Sequence, residues 1–198
     1  MARHAERKRE NRTKLLTAAR KVFAEKGFGA ATARDIVRET DLASGTFYNY
    51  FEGKDDAFRA VLDGLMEDAR VAARDKRRQT GVGLEERIRD SYRAYFELVV
   101  ADPELFEFLR RNADVIAMMG TEDAFEEGVQ ELVNDMHQWI EDGQLPAALE
   151  PWLPYIARSL AGGAFQVAAQ MAEVGDSDVD AAADFCTRLM LNGLRGFR

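Results

Sequence analysis

The residues whose types and spacing could do chemistry gather in one run, Leu42-Ala-Ser-Gly-Thr-Phe-Tyr-Asn-Tyr-Phe51. Phe47 and Phe51 stand four apart, so both can face one core together with Leu42. That leaves Ser44, Gly45, Thr46, Tyr48 and Asn49 outward: small or hydrogen-bonding groups, with no acid among them. Such a surface suits contact with an anionic polymer and hydrogen bonding to base edges, which is recognition and not bond-making.

The elements needed to present that surface can be read on either side. Ile36 and Val37 centre a short helix, Thr40-Asp41 marks a tight turn, and a second short helix starts near Ser44 and ends before Gly53. Two short helices across a tight turn make a helix-turn-helix, whose second helix enters a groove. Thr32 is placed to cap the first of them. Lys54 opens a further helix, where its ammonium and the free backbone N–H groups could hold one phosphate.

Bond-making chemistry finds little support. His4 and His137 are the only histidines, and they lie far apart in the chain. Cys186 sits on an apolar helical face, as a small buried hydrophobe does. Metal-spaced ligands, a nucleophile elbow and a phosphate loop are all missing, and Thr80-Gly-Val-Gly83 follows no strand. No catalytic residue, metal ligand or cofactor is therefore expected.

The net charge of −8 argues against a nucleic-acid partner until it is divided. Residues 1–54 carry 12 Lys and Arg against 7 Asp and Glu, a net +5; residues 55–198 carry 15 against 28, a net −13. A basic head on an acidic body concentrates phosphate attraction at one end. The charged, apolar-poor N-terminus does not resemble a secretion signal, and no run approaches the ~20 apolar residues of a membrane helix. The lone cysteine suits a reducing compartment, so a cytoplasmic protein without membrane association is expected.

Helical periodicity runs the length of the chain. Leu15, Leu16, Ala19, Val22 and Phe23 form one face of a helix expected over about 10–26, stopped by Gly27. The polar start before it reads either as a frayed end or as an arm reaching phosphates. A long helix is expected over 54–79, with Arg70, Arg74, Lys76, Arg77 and Arg78 as a solvated cluster at its end. Further helices follow from Leu84, from Pro103 with Asp102 as cap, from Thr121, from the Pro151–Pro154 region, and from a cap at Ser177 and Asp180. On the last of these Val179, Phe185, Cys186, Leu189, Met190 and Leu194 are expected inward. Gly162 and Gly163 cost about 1 kcal/mol each in a helix, which a closely crossing helix would explain.

The run Ala43-Ser-Gly-Thr-Phe-Tyr-Asn-Tyr-Phe-Glu-Gly-Lys54, preceded by Leu15-Leu-Thr-Ala-Ala-Arg-Lys-Val-Phe-Ala-Glu-Lys-Gly-Phe28, resembles the signature of the TetR family of bacterial transcription regulators. The resemblance covers about residues 9–60. Asp41 departs from it where the family usually has Gly, and Ala57 where a Leu usually packs. Asp tolerates a left-handed turn conformation, and Phe58 could fill the space at Ala57. The resemblance implies an all-α fold of about nine helices. A three-helix DNA-binding domain would occupy residues 1–54, and a ligand-binding and dimerisation domain residues 55–198. It implies DNA contacts from Thr32, Ala43, Ser44, Gly45, Thr46, Tyr48, Asn49, Tyr50 and Lys54. A homodimer would form through the last two helices and read a palindromic double-stranded operator.

Aromatic and methionine side chains in the middle helices suggest a cavity for an apolar or amphipathic small molecule. Tyr92, Phe96, Phe106, Arg110, Met118, Phe125, Met136, His137, Trp139 and Gln166 are the candidate lining, and Arg93 and Asn112 are further polar groups that could orient a ligand. The reading is a ligand-responsive transcriptional regulator, a repressor released from its operator by that effector. The alternative is a dimeric helical carrier of lipid-like ligands with a vestigial head, against which the intact run 43–54 counts.

Overall fold

The computed structural model describes residues 2–119, 123–175 and 177–197, with Ala2, Ser44, Ala117, Asp123 and Ala124 described by backbone only. The described residues form eight α-helices and two 3₁₀ turns, with no strand. The helices are α1 (Ala2–Ala30), α2 (Ala33–Arg38), α3 (Lys54–Arg77), α4 (Leu84–Ala101), α5 (Pro103–Met119), α6 (Asp123–Glu141), α7 (Leu153–Val174) and α8 (Val179–Arg195). The 3₁₀ turns span Ser44–Asn49 and Ala147–Trp152. The all-α architecture is thus the one expected. No described helix is long and apolar enough to cross a membrane.

The chain packs as two compact units. One joins Met1–Leu65 to Pro103–Thr121, and the other joins Met66–Asp102 to Glu122–Arg198. The change of unit falls inside α3, and α5 leaves the second unit's sequence to pack with the first.

In the first unit α1 packs on α2 and α5. Helix α1 starts at Ala2, well before the expected residue 10, and is broken at Gly27, whose φ of 72° closes the helix as only glycine does easily. Phe58 meets Phe23 edge-on at 5.0 Å and stacks on Phe108 at 5.3 Å. Ala57 beside it is fully buried, so the small residue makes room for this aromatic cluster. Asn112 of α5 is buried among these groups. Its Oδ1 accepts from the Phe28 backbone N–H at 2.7 Å, and its Nδ2 donates to the carbonyls of Phe23 at 3.1 Å and Phe108 at 2.7 Å. The side chain satisfies backbone groups that the break at Gly27 leaves open. It therefore belongs to the head's core and is not a ligand-orienting group.

In the second unit α4 packs on α8 and α6 on α7. Met136, Trp139, Leu149, Leu153, Ala157, Met190 and Leu194 share its core. The arginines at the end of α3 do not form a solvated cluster as expected. Arg70 pairs with Glu67 at 2.6 Å and with Glu131, while Arg77 and Arg78 both hold Asp135 at 2.9 Å. Asp135 and Arg77 are almost fully covered, so α3 and α6 are joined by a line of part-buried ion pairs.

The last helix departs from its expected phase and cap. Asp178 caps α8 by accepting from the Ala181 N–H at 3.0 Å, in place of Ser177 or Asp180. Ala183, Cys186, Thr187, Met190, Leu191 and Leu194 form the inward face. Phe185 and Leu189, expected inward, are 57% and 65% exposed. The expected start of α6 at Thr121 lies outside the described residues.

Candidate nucleic-acid interface

The surface is built on a buried hinge pair. Phe47 and Phe51 are fully or nearly buried and their rings meet at 5.5 Å, which fixes the short turn from beneath. The segment is 3₁₀ over Ser44–Asn49, tighter and shorter than the helix expected up to Gly53. Thr46 N–H donates to Ala43 O at 2.8 Å, and the N–H groups of Tyr50 and Phe51 both reach Phe47 O at 3.0 Å. Pinned this way, Tyr48 stands 66% exposed, held only edge-on against Phe47. Ala43, Gly45 and Asn49 are exposed as well, Thr46 and Tyr50 are half-buried, and the side chain of Ser44 lies outside the described residues. A Cβ added at Gly45 would meet nothing in the chain within 4 Å. Any need for glycine there must come from something that approaches from outside.

Ion pairs hold the surrounding turn. Thr32 caps α2 in a reciprocal box: its Oγ1 accepts from Asp35 N–H at 3.1 Å, and its own N–H donates to Asp35 Oδ2 at 3.1 Å. Lys26 lies 2.8 Å from the same carboxylate. Hydrogen bonding to Lys26 first, and to Thr32 second, pulls the Asp35 carboxyl down to about 2. Thr40 Oγ1 closes the α2 end on Val37 O at 2.8 Å and receives Leu42 N–H at 3.2 Å. Asp41 does not use the left-handed conformation expected of it, for no described non-glycine residue has positive φ. It is held instead by Lys14 at 2.9 Å, whose hydrogen bond keeps this carboxyl below the usual range and masks its charge beside the turn.

Lys54 is placed differently from its expected role. Its ammonium donates to the carbonyls of Phe28 at 2.8 Å, Ala31 at 3.2 Å and Gly29 at 3.3 Å, and lies 4.5 Å from the centre of the Phe28 ring. These carbonyls close the end of α1, where a cation is favoured. The residue ties the start of α3 to the end of α1 and is not directed outward at a phosphate.

The effector candidates are not brought to one place. Tyr92 and Phe125 pack against the second unit's core, which contains Met136 and Trp139. Phe96 is fully buried and stacks on Tyr92 at 6.2 Å, and burial raises the phenols of both Tyr92 and Tyr95. Phe106, Arg110 and Met118 belong to α5 and so to the first unit. There Met118 is 86% exposed, and Arg110 is paired with Glu107 at 2.7 Å on the surface. His137 stands 3.5 Å from Glu150, Gln166 is exposed, and Arg93 is paired with Glu97 at 2.9 Å. Among the described residues, no three His, Cys, Asp or Glu side chains are grouped to hold a metal ion.

Residues 15–61 match the family model described as bacterial regulatory proteins, tetR family. The HTH-type transcriptional repressor KstR2 of Rhodococcus jostii is 39% identical over 57 residues, which are 29% of this chain and 28% of that protein. The alignment thus spans little more than a quarter of that relative. The fatty acid degradation regulator FadR from Bacillus halodurans superimposes with a TM-score of 0.76 at 20% identity, over 93% of this chain and 96% of its own. The transcriptional regulator FadR from Bacillus subtilis, solved in complex with stearoyl-CoA, gives 0.74 at 18% identity, over 91% and 98%. At such identities the superpositions speak for the fold alone.

Proposed function

We propose that this chain, which belongs to the TetR family of bacterial regulatory proteins, is a DNA-binding transcriptional regulator that reads its operator through the Ala43–Tyr50 turn. One observation carries the reading: a turn pinned by buried Phe47 and Phe51 exposes Gly45, Tyr48 and Asn49, with Asp41, the acid just before it, paired with Lys14. Asn49 can pair bidentately with adenine, and Tyr48 can reach a phosphate or a thymine methyl. Thr46 and Tyr50 flank them, and Thr32 adds a hydroxyl at the start of α2.

One short turn reads few bases, so the protein works as a homodimer on a palindrome. Support comes from α7, α8 and the 3₁₀ turn that leads into α7, which leave Tyr155, Phe185, Leu189 and Trp152 exposed. Large apolar groups left exposed are characteristic of contact surfaces. A Cβ at Gly162 or Gly163 meets nothing within 4 Å in this chain, so these glycines are not explained by its own helices, and the second copy supplies the crossing helix.

The regulator acts as a repressor that an apolar or amphipathic effector releases. The aromatic core of the second unit around Tyr92, Phe125, Met136 and Trp139 is the place for it, and a long-chain acyl compound of the kind solved with the Bacillus subtilis FadR is the first class to try. Release requires a different effector affinity in the DNA-competent and incompetent states. Helix α3, within which the change of unit falls, is the element that transmits it.

The test is Tyr48→Phe with Asn49→Ala against the selected operator and a scrambled duplex. Loss of one bidentate pair costs about 1–3 kcal/mol of discrimination, roughly 5- to 150-fold. The reading predicts a drop of that size in preference with non-specific binding retained. An unchanged preference would sink it.

A further inference from the structure

Among the described residues, the buried polar side chains are answered with one exception. Asn112 bonds three backbone groups, Asp135 holds Arg77 and Arg78, and the Thr187 hydroxyl donates to Ala183 O at 2.8 Å. Ser91, on α4, is only 7% exposed, and its hydroxyl has no hydrogen-bond partner among the described residues. A hydroxyl taken out of water without a partner costs free energy that an incoming group can recover.

Tyr95 stands one turn further on, at the i+4 position that shares a face with Ser91. Its hydroxyl likewise has no partner among the described residues, and burial alone raises the phenol. A buried phenol usually finds an acceptor. Neighbouring Tyr92 finds only a weak one, Met190 Sδ at 4.0 Å. The Tyr95 ring lies 5.3 Å from Phe96, which stacks on Tyr92 at 6.2 Å, and Tyr92 packs on the second unit's core. The two unanswered hydroxyls thus border the aromatic region assigned above to the effector.

The charges around α4 decide what such a pair accepts. Arg87 is engaged by Gln144 at 2.6 Å and by the face of Trp139, Arg89 by Asp184, and Arg93 by Glu97 at 2.9 Å. Arg77, whose charge reaches the Tyr92 phenol, is held by Asp135 at 2.9 Å. A carboxylate brought here would lose its water and meet cations that are already taken, whereas a neutral carbonyl needs only a donor.

We propose that Ser91 and Tyr95 are the polar anchor of the effector site, two hydroxyl donors that hold the neutral oxygens of an esterified acyl chain in preference to the carboxylate of a free acid. The proposal rests on the effector reading and names its ligand class.

The experiment is calorimetric titration of the full-length protein, Ser91→Ala and Tyr95→Phe with three probes of similar length: methyl decanoate, decanoate and undecane. The ester is expected to bind the wild type more tightly than either of the others. One neutral hydrogen bond corresponds to roughly 2- to 12-fold in affinity, so each variant should lose that much for the ester and nothing for undecane. Without any probe, the urea midpoint of both variants should stay the same or rise, because the hydroxyl removed has no partner in the protein. Unchanged ester affinity in both variants overturns the proposal. So does tighter binding of decanoate than of its ester, or a lowered midpoint in the probe-free variants, which would mark the hydroxyls as structural. A wild-type protein that binds none of the three probes rejects the acyl-effector reading itself, before any variant is compared.

Discussion

Replacing Lys54 by Met separates two roles that the sequence alone assigns to one residue. Methionine keeps the length of the stem and removes the ammonium. The structure gives that ammonium three carbonyl acceptors at 2.8, 3.2 and 3.3 Å and the face of Phe28 at 4.5 Å. Hydrogen bonds to a charged donor contribute about 1.5–3 kcal/mol, most of it here from the shortest. The cation–π contact adds about 0.5–1 kcal/mol. A loss of about 2–3 kcal/mol is expected, because the end of α1 keeps its carbonyls but loses the cation that answers them. The assay is urea unfolding at fixed protein concentration, since an oligomer's apparent stability depends on it. With a slope of roughly 2–3 kcal/mol/M the midpoint should fall by about 1 M. Binding of the folded variant to the operator should keep its salt slope. A midpoint shifted by less than about 0.2 M, together with a slope reduced by about 0.9, would refute the reasoning and return Lys54 to a phosphate.

Asn112→Leu removes a side chain that pairs the Phe28 N–H and the Phe23 carbonyl. Two backbone groups left without partners should cost about 2–5 kcal/mol, read by the same unfolding assay; a loss under 0.5 kcal/mol would show that solvent reaches them. Asp35 gives a pH signature. Its folded value of about 2 lies below the ordinary 3.8, so its contribution is complete above that ordinary value and fades as pH falls through 4 towards 2. The stability difference between wild type and Asp35→Asn should shrink across that window, and a difference constant from pH 7 to pH 2 would count against the Lys26–Asp35–Thr32 arrangement.

Much of the head was legible in the sequence because its signals are local. The i,i+4 pair Phe47–Phe51, the cap at Thr32 and the stop at Gly27 depend on neighbours within a few residues, and the structure realises each of them. The 3₁₀ tightening of Ser44–Asn49 was not legible, since a six-residue segment offers too few turns for a period to show. What failed elsewhere was long-range. Helical spacing identifies an apolar face on α8 but does not tell which part of it finds a partner within the chain, so it points Phe185 and Leu189 inward where the structure leaves them exposed. The arginines of α3 are answered by Glu131 and Asp135, some sixty residues on, and no local pattern announces that pairing. Asn112 reads as a polar interruption in an apolar helix until the break at Gly27 supplies the backbone groups it serves. The effector candidates scattered for the same reason: composition groups Phe106, Arg110 and Met118 with Met136 and Trp139, whereas packing assigns α5 to the other unit.

The central claim is sequence-specific binding by the Ala43–Tyr50 turn in a two-fold assembly. Its most direct test is selection of bound fragments from random duplex DNA, using the full-length protein at near-physiological salt, with its dimeric state confirmed in the same sample. The account predicts a palindromic consensus whose half-sites lie one helical turn or a multiple apart. A folded dimer that enriches no sequence over background would contradict it.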